Sequence, residues 1–180
     1  MPENVKQVLI IQGFPRFDFN LVTNGAIQRA RSLVREFDLH HDLDTPVDIG
    51  QLLDKFEVRL MEDLPASTWG FTLDLNHKII VALNDQLDAP LLRFVAMHEI
   101  GHVAMWHPNQ LHACVVEGQA TYDRFEAEAT TIAALVLVPR LTLLTELIFG
   151  TTSLEKLAAR LLVPPALIAI RHELYYYTNF

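Results

Sequence analysis

LLRFVAMHEIGHVAMW, residues 91–106, is the stretch whose reading decides the fold. Leu91, Phe94, Val95, Ile100 and Val103 recur at helical spacing, and Pro90 suits a first turn, so the segment reads as a helix. Residues four apart on a helix lie one turn above each other on one face. His98 and His102 can therefore offer both imidazoles to one ion, with Glu99 beside them. A His-Glu-x-x-His pattern on such a helix reads as a zinc site with a glutamate as general base. The segment is too apolar for a simply solvated surface helix.

The rest of the composition narrows the setting. At 180 residues and 51% apolar, the chain suits one domain, or one domain with a small appendage. A net charge of -8 argues against binding a phosphate backbone, which needs clustered Lys and Arg, and favours a basic protein as partner. Cys114 is the only cysteine, which excludes an internal disulfide and fits a reducing compartment. The apolar run at 8–11 is too short for a secretory signal, and the run at 132–138 stops at Pro139 and Arg140, short of a membrane span. The expectation is a cytoplasmic protein with no membrane partner.

Taken in order, residues 1–23 read as an extension, packed late or loosely held. An amphipathic helix follows from Asn24, a possible cap, to Phe37. His40, His41, Asp42 and Asp44 could imitate a metal cluster but read as a solvated loop. A short helix within residues 45–56 precedes three strands, near 58–62, 67–73 and 78–83, with Asn76 and His77 in the turn of the last two. The sheet is therefore expected to be small and mainly antiparallel. Pro108 and Asn109 end the central helix near Trp106, and a second long helix, apolar nearly all round, is expected over 117–138. Gly150 ends a shorter helix at 141–149, Ser153 caps another, and Pro164 starts a last one running through Tyr175.

Two histidines leave a catalytic zinc in need of a third protein ligand. The metzincin arrangement, a third histidine six residues on and a glycine three residues on, is excluded by Pro108 and Met105. His107 and His112 lie in or near the following loop and remain weak candidates. A carboxylate from the second long helix is the better one. Glu126 and Glu128 differ by about 200° around a helix, so only one can face the ion. Glu128 shares a face with Phe125 and Ile132, which favours it; Glu126, with Ala129 and Ala133, stays open.

In order and spacing, four segments resemble the ImmA/IrrE family of metallopeptidases: TPVDIGQLLDKF at 45–56, KIIVALN at 78–84, RFVAMHEIGH at 93–102 and EATTIAALVLVP at 128–139. The likeness runs from about Ala26 to Tyr175. It implies an α+β, zincin-like domain over 24–150, gluzincin-like, with the His98 helix packed on the second long helix. By the same resemblance Glu128 is the third zinc ligand beside His98 and His102, and Glu99 is the catalytic base. Thr130 stands where the family usually has Asn, and Val138 where it has Met.

The closing segment, SLEKLAARLLVPPALIAIRHELY at 153–175, is similar to the family's C-terminal helical pair and resembles a helix-turn-helix, giving a third unit at 151–180. Its near balance of charges ranks packing or partner docking above direct DNA contact. The resemblance implies a zinc endopeptidase that cleaves a helix-turn-helix repressor and so relieves transcription of phage, mobile-element or stress genes. The rival readings are a non-catalytic antirepressor that sequesters its partner and a DNA-binding regulator. His107, His112 and Tyr122 are the candidates for stabilising an oxyanion.

Overall fold

The computed structural model describes residues 8–9, 14, 17–40, 45–75, 78–107, 124–150 and 152–178. At the start, β1 (Val8–Leu9) pairs antiparallel with β2 (Phe17–Asp18), and a 3-10 turn follows at Phe19–Leu21. The described residues of this extension are more than a loosely held arm. Phe14, Phe17 and Phe19 are all buried, and the Phe14 ring lies 4.7 Å from that of Phe94 on the central helix. Aromatic side chains of this size bury enough apolar surface to fix a segment that has little secondary structure.

Helix α1 (Asn24–Glu36) is capped by Thr23 and not by Asn24: the Thr23 hydroxyl accepts the Ala26 amide at 3.2 Å. Its buried face is Ala26, Ile27, Ala30 and Leu33. A short α2 (Gly50–Leu53) leads to β3 (Glu57–Met61), and β4 (Gly70–Leu75) and β5 (Lys78–Asn84) complete a sheet in the order β3-β5-β4. The β4–β5 pair is antiparallel, as a hairpin requires, but β3 runs parallel to β5. The sheet is thus mixed, not mainly antiparallel. Because β4 takes one edge of β5, β3 has to take the other, and it runs in the same direction as β5.

Asp88 starts α3 (Ala89–Ala104) by accepting the Leu91 amide at 3.0 Å, with Pro90 in the first turn. The sheet lies directly on this helix: a β-carbon at Gly70 would stand 2.7 Å from Val95 Cγ1. The second long helix is α4 (Arg124–Leu137), and every residue from Ala127 to Val138 is buried. Its alanines let α3 approach until Gly101 meets the Ala129 backbone. Helices α1, α3 and the last helix of the chain all pack on α4. The expected start of this helix at 117 lies outside the described residues, as do His41, Asp42, Asp44, His77, His112, Cys114 and Tyr122.

The C-terminal end of α4 explains His40. It is not in a solvated loop: its Nε2–H donates to the Val136 carbonyl at 2.8 Å. The fully buried Arg171 donates from Nε to the Val138 carbonyl at 3.1 Å. Both satisfy carbonyls that a helix end leaves without intrahelical partners. Burial holds the His40 pKa below its usual value, the hydrogen bond to Val136 opposing and the nearby Arg171 adding to the effect.

After Pro139 come α5 (Arg140–Phe149), closed by Gly150 at φ 57°, then α6 (Leu154–Leu161), capped by Ser153, and α7 (Pro165–Thr178). Leu167, Ile168, Ile170, Arg171 and Leu174 of α7 are buried. Among the described residues no single helix is long and apolar enough to cross a membrane.

Candidate metal centre

The helical phase of α3 turns His98 and His102 to the same side, and their Nε2 atoms lie 3.1 Å apart. Across from them stands Glu126 of α4. Its Oε2 is 3.1 Å from His98 Nε2 and its Oε1 is 3.4 Å from His102 Nε2. Both imidazoles are buried, and the Glu126 side chain is about a quarter exposed. Burial works against the charged form of Glu126, but hydrogen bonds from His102 and His98 hold its carboxyl far below the usual carboxylate range.

The expected partner, Glu128, faces elsewhere. Its Oε1 accepts from Thr23 Oγ1 at 2.6 Å and from Arg124 Nε at 2.8 Å, and its Oε2 lies 3.0 Å from His107 Nε2. The carboxylate brought to the histidine pair is Glu126, one side of α4 meeting α3 while the Glu128 side meets the capped start of α1. Burial again opposes ionisation of Glu128, and the bonds from Thr23, Arg124 and His107 outweigh it, lowering its pKa.

The donor set fits a metal ion. Ligand atoms about 2.0–2.1 Å from a tetrahedral zinc stand roughly 3.4 Å from one another. The separations here, 3.1 to 3.4 Å, match that spacing, and the donor atoms of His98, His102 and Glu126 all lie within 4.8 Å of each other. Two imidazole nitrogens this close, with a carboxylate facing both, are a set whose lone pairs a cation satisfies together. Behind them, His98 Nδ1 lies 3.1 Å from Thr130 Oγ1 and His102 Nδ1 lies 2.9 Å from His107 Nδ1.

Glu99 is fully buried on the turn between the two histidines. Thr72 of β4 donates from Oγ1 to its Oε2 at 2.8 Å, while Oε1 has no hydrogen-bond partner among the described residues. Burial pushes the Glu99 carboxyl up to about 7; the His102 charge and the Thr72 bond oppose this, and the Glu126 charge adds to it. A carboxyl poised near neutrality can both take and return a proton.

His107, a weak ligand candidate by spacing, lies behind His102, its Nδ1 against the ring nitrogen that faces away from Glu126. Thr72, Thr23 and Arg124 carried no signal in the sequence: they are common residue types, and only the packing brings them to the site.

Among curated proteins no relative matches the chain. A family model does: residues 53–173, well over half the chain and containing α3, α4 and the whole histidine–carboxylate cluster, match the IrrE N-terminal-like domain. The chain belongs to that peptidase family, Peptidase_M78.

Proposed function

We propose that the chain is a zinc-dependent endopeptidase whose substrate is a helix-turn-helix transcriptional repressor. The observation that carries this reading is the convergence of His98, His102 and Glu126 beside the fully buried Glu99 carboxyl. His98 and His102, through Nε2, and Glu126, through its carboxylate, are the residues that hold the ion. When bound, zinc supplies Lewis acidity, which polarises a carbonyl and acidifies water. Glu99 takes up the proton at Oε1 and returns it to the leaving amine. Thr72 keeps Oε2 engaged and so fixes which oxygen works. A three-residue ligand set leaves a coordination position open, which a closed structural site does not.

The substrate class rests on the family likeness and on charge, since a chain at -8 favours a basic partner such as a DNA-binding protein. The buried face of α7 supports packing over DNA contact for the C-terminal pair. The test is incubation of zinc-loaded protein with a repressor encoded beside it. Cleavage that stops on chelation and in Glu99→Gln supports the reading; a stable uncut complex that relieves repression equally well with Glu99→Gln would replace it with sequestration.

A further inference from the structure

Helix α3 ends in a turn that places His107 with some cost. Trp106 has φ 56°, a left-handed conformation that side-chain-bearing residues seldom adopt. Its amide bonds back to the Val103 carbonyl at 3.0 Å and the His107 amide to the His102 carbonyl at 3.1 Å. This is the two-bond helix stop in which the residue after the left-handed one folds back over the last turn. A glycine usually takes the left-handed position; here a tryptophan does. The residue folded back is His107, its ring 5.0 Å from that of His102 and 4.4 Å from that of Phe125.

We propose that His107 and Glu128 are positioning residues for His102, forming a one-way hydrogen-bond relay that presents the His102 Nε2 lone pair to the metal. The inference rests on the reading of His98, His102 and Glu126 as ligands. The direction of the relay is forced from both ends. A neutral imidazole that binds a metal through Nε2 carries its hydrogen on Nδ1, so His102 Nδ1–H donates to His107 Nδ1, 2.9 Å away. His107 then has its own hydrogen on Nε2, and donates it to Glu128 Oε2 at 3.0 Å. An ionised carboxylate accepts only, so the chain cannot run backwards.

The far end is closed as well. Thr23 Oγ1 donates to Glu128 Oε1 at 2.6 Å while accepting the Ala26 amide at 3.2 Å, so the cap of α1 and the terminus of the relay share one hydroxyl. Arg124 adds a third donor at 2.8 Å. His107 and Glu128 side chains are 3% and 2% exposed, which keeps water from substituting for either. Outer partners of this kind fix the tautomer and ring orientation of a ligating histidine. Glu128 therefore serves the metal at second hand, through two imidazoles.

The experiment uses the full chain, with zinc affinity measured by chelator competition and imidazole tautomers by long-range proton–nitrogen NMR. In zinc-loaded wild type, His102 is expected to carry its hydrogen on Nδ1 and His107 on Nε2. His107→Phe keeps a ring against Phe125 but removes both nitrogens, and should weaken zinc about 10- to 100-fold with one ion still bound. Glu128→Gln keeps an acceptor without the charge and should fall between it and wild type. A merely structural role would instead lower the melting temperature of the metal-free variants and leave zinc affinity and the His102 nitrogen shifts unchanged, which overturns the proposal. A His107 hydrogen found on Nδ1 overturns it too. Failure of the ligand reading looks different: Glu126→Gln would keep zinc and Glu128→Gln would lose it.

Discussion

Gly101 and Ala129 meet backbone to side: a β-carbon on Gly101 would stand 2.9 Å from the Ala129 Cα and 3.0 Å from its carbonyl oxygen. The obstacle is main chain, which has no flexible end to swing aside. This contact sets the distance between the helix carrying the histidines and the helix carrying the carboxylates. Gly101→Ala should force the helices apart, cost about 1–3 kcal/mol of stability, and lower zinc content along with it. Unchanged zinc stoichiometry and melting temperature in this variant would contradict a backbone-limited spacing.

Glu126→Gln should lose zinc, because a neutral amide cannot replace the carboxylate facing both imidazoles. Elemental analysis reads the loss directly. Chelation should lower the melting temperature of the wild type and leave that of Glu126→Gln where it is, since a metal that binds only the folded state stabilises it by mass action.

Glu99 gives the metal-free protein a pH signature. Its carboxyl is raised from 4.5 to about 7 by burial. Below pH 4.5 it is protonated in both the folded and unfolded chain; between 4.5 and 7 only the unfolded chain ionises, so stability falls as pH rises through that window and levels off above it. The size is roughly 3 kcal/mol. Glu99→Gln should flatten this slope in denaturant titrations, keep zinc when loaded, and cut peptide at least ~100-fold more slowly. A slope identical to the wild type would place the titration elsewhere.

Thr72→Val keeps the branched side chain on β4 and removes the hydroxyl that donates to Glu99 Oε2. That bond favours the charged carboxylate. Its loss should move the acid limb of the pH–rate profile upward and lower kcat about tenfold or more, with zinc content unaltered. A profile superimposable on the wild type would remove Thr72 from the mechanism.

The parts legible in the sequence were those fixed within one helix. His98, Glu99 and His102 follow from helical periodicity, and the Leu91 helix begins close to where its flanking residues put it. The choice between Glu126 and Glu128 was different in kind. Helix α4 is buried all round, so hydrophobicity marks no inward face, and what orients it is the packing of α1 on one side and α3 on the other. His107 reaches His102 only because Trp106 adopts a conformation that its side chain disfavours, which no local pattern signals. Thr23 and Glu128 are 105 residues apart, and Thr72 and Glu99 are 27 apart; ordinary hydroxyls at such separations gain meaning only from the fold. The parallel pairing of β3 was hidden for the same reason, since alternation marks a strand and says nothing of its direction.

Helix α4 is held by α1, α3, α7 and the 3-10 turn at Phe19–Leu21, whereas β4 lies at the margin of the sheet with its last residues exposed. The two sides of the Glu99 carboxyl thus differ in how many elements anchor them. Helix α4 is held from several sides, whereas β4 is held by β5 along its length and by α3 beneath it, and β4 carries the hydroxyl that donates to Glu99. Amide hydrogen exchange should accordingly be slowest along α4 and faster at the exposed end of β4, Asp74 and Leu75. Drawing β4 away from α3 would break the Thr72–Glu99 bond, so the state of this buried carboxyl is tied to how the edge strand seats on the helix.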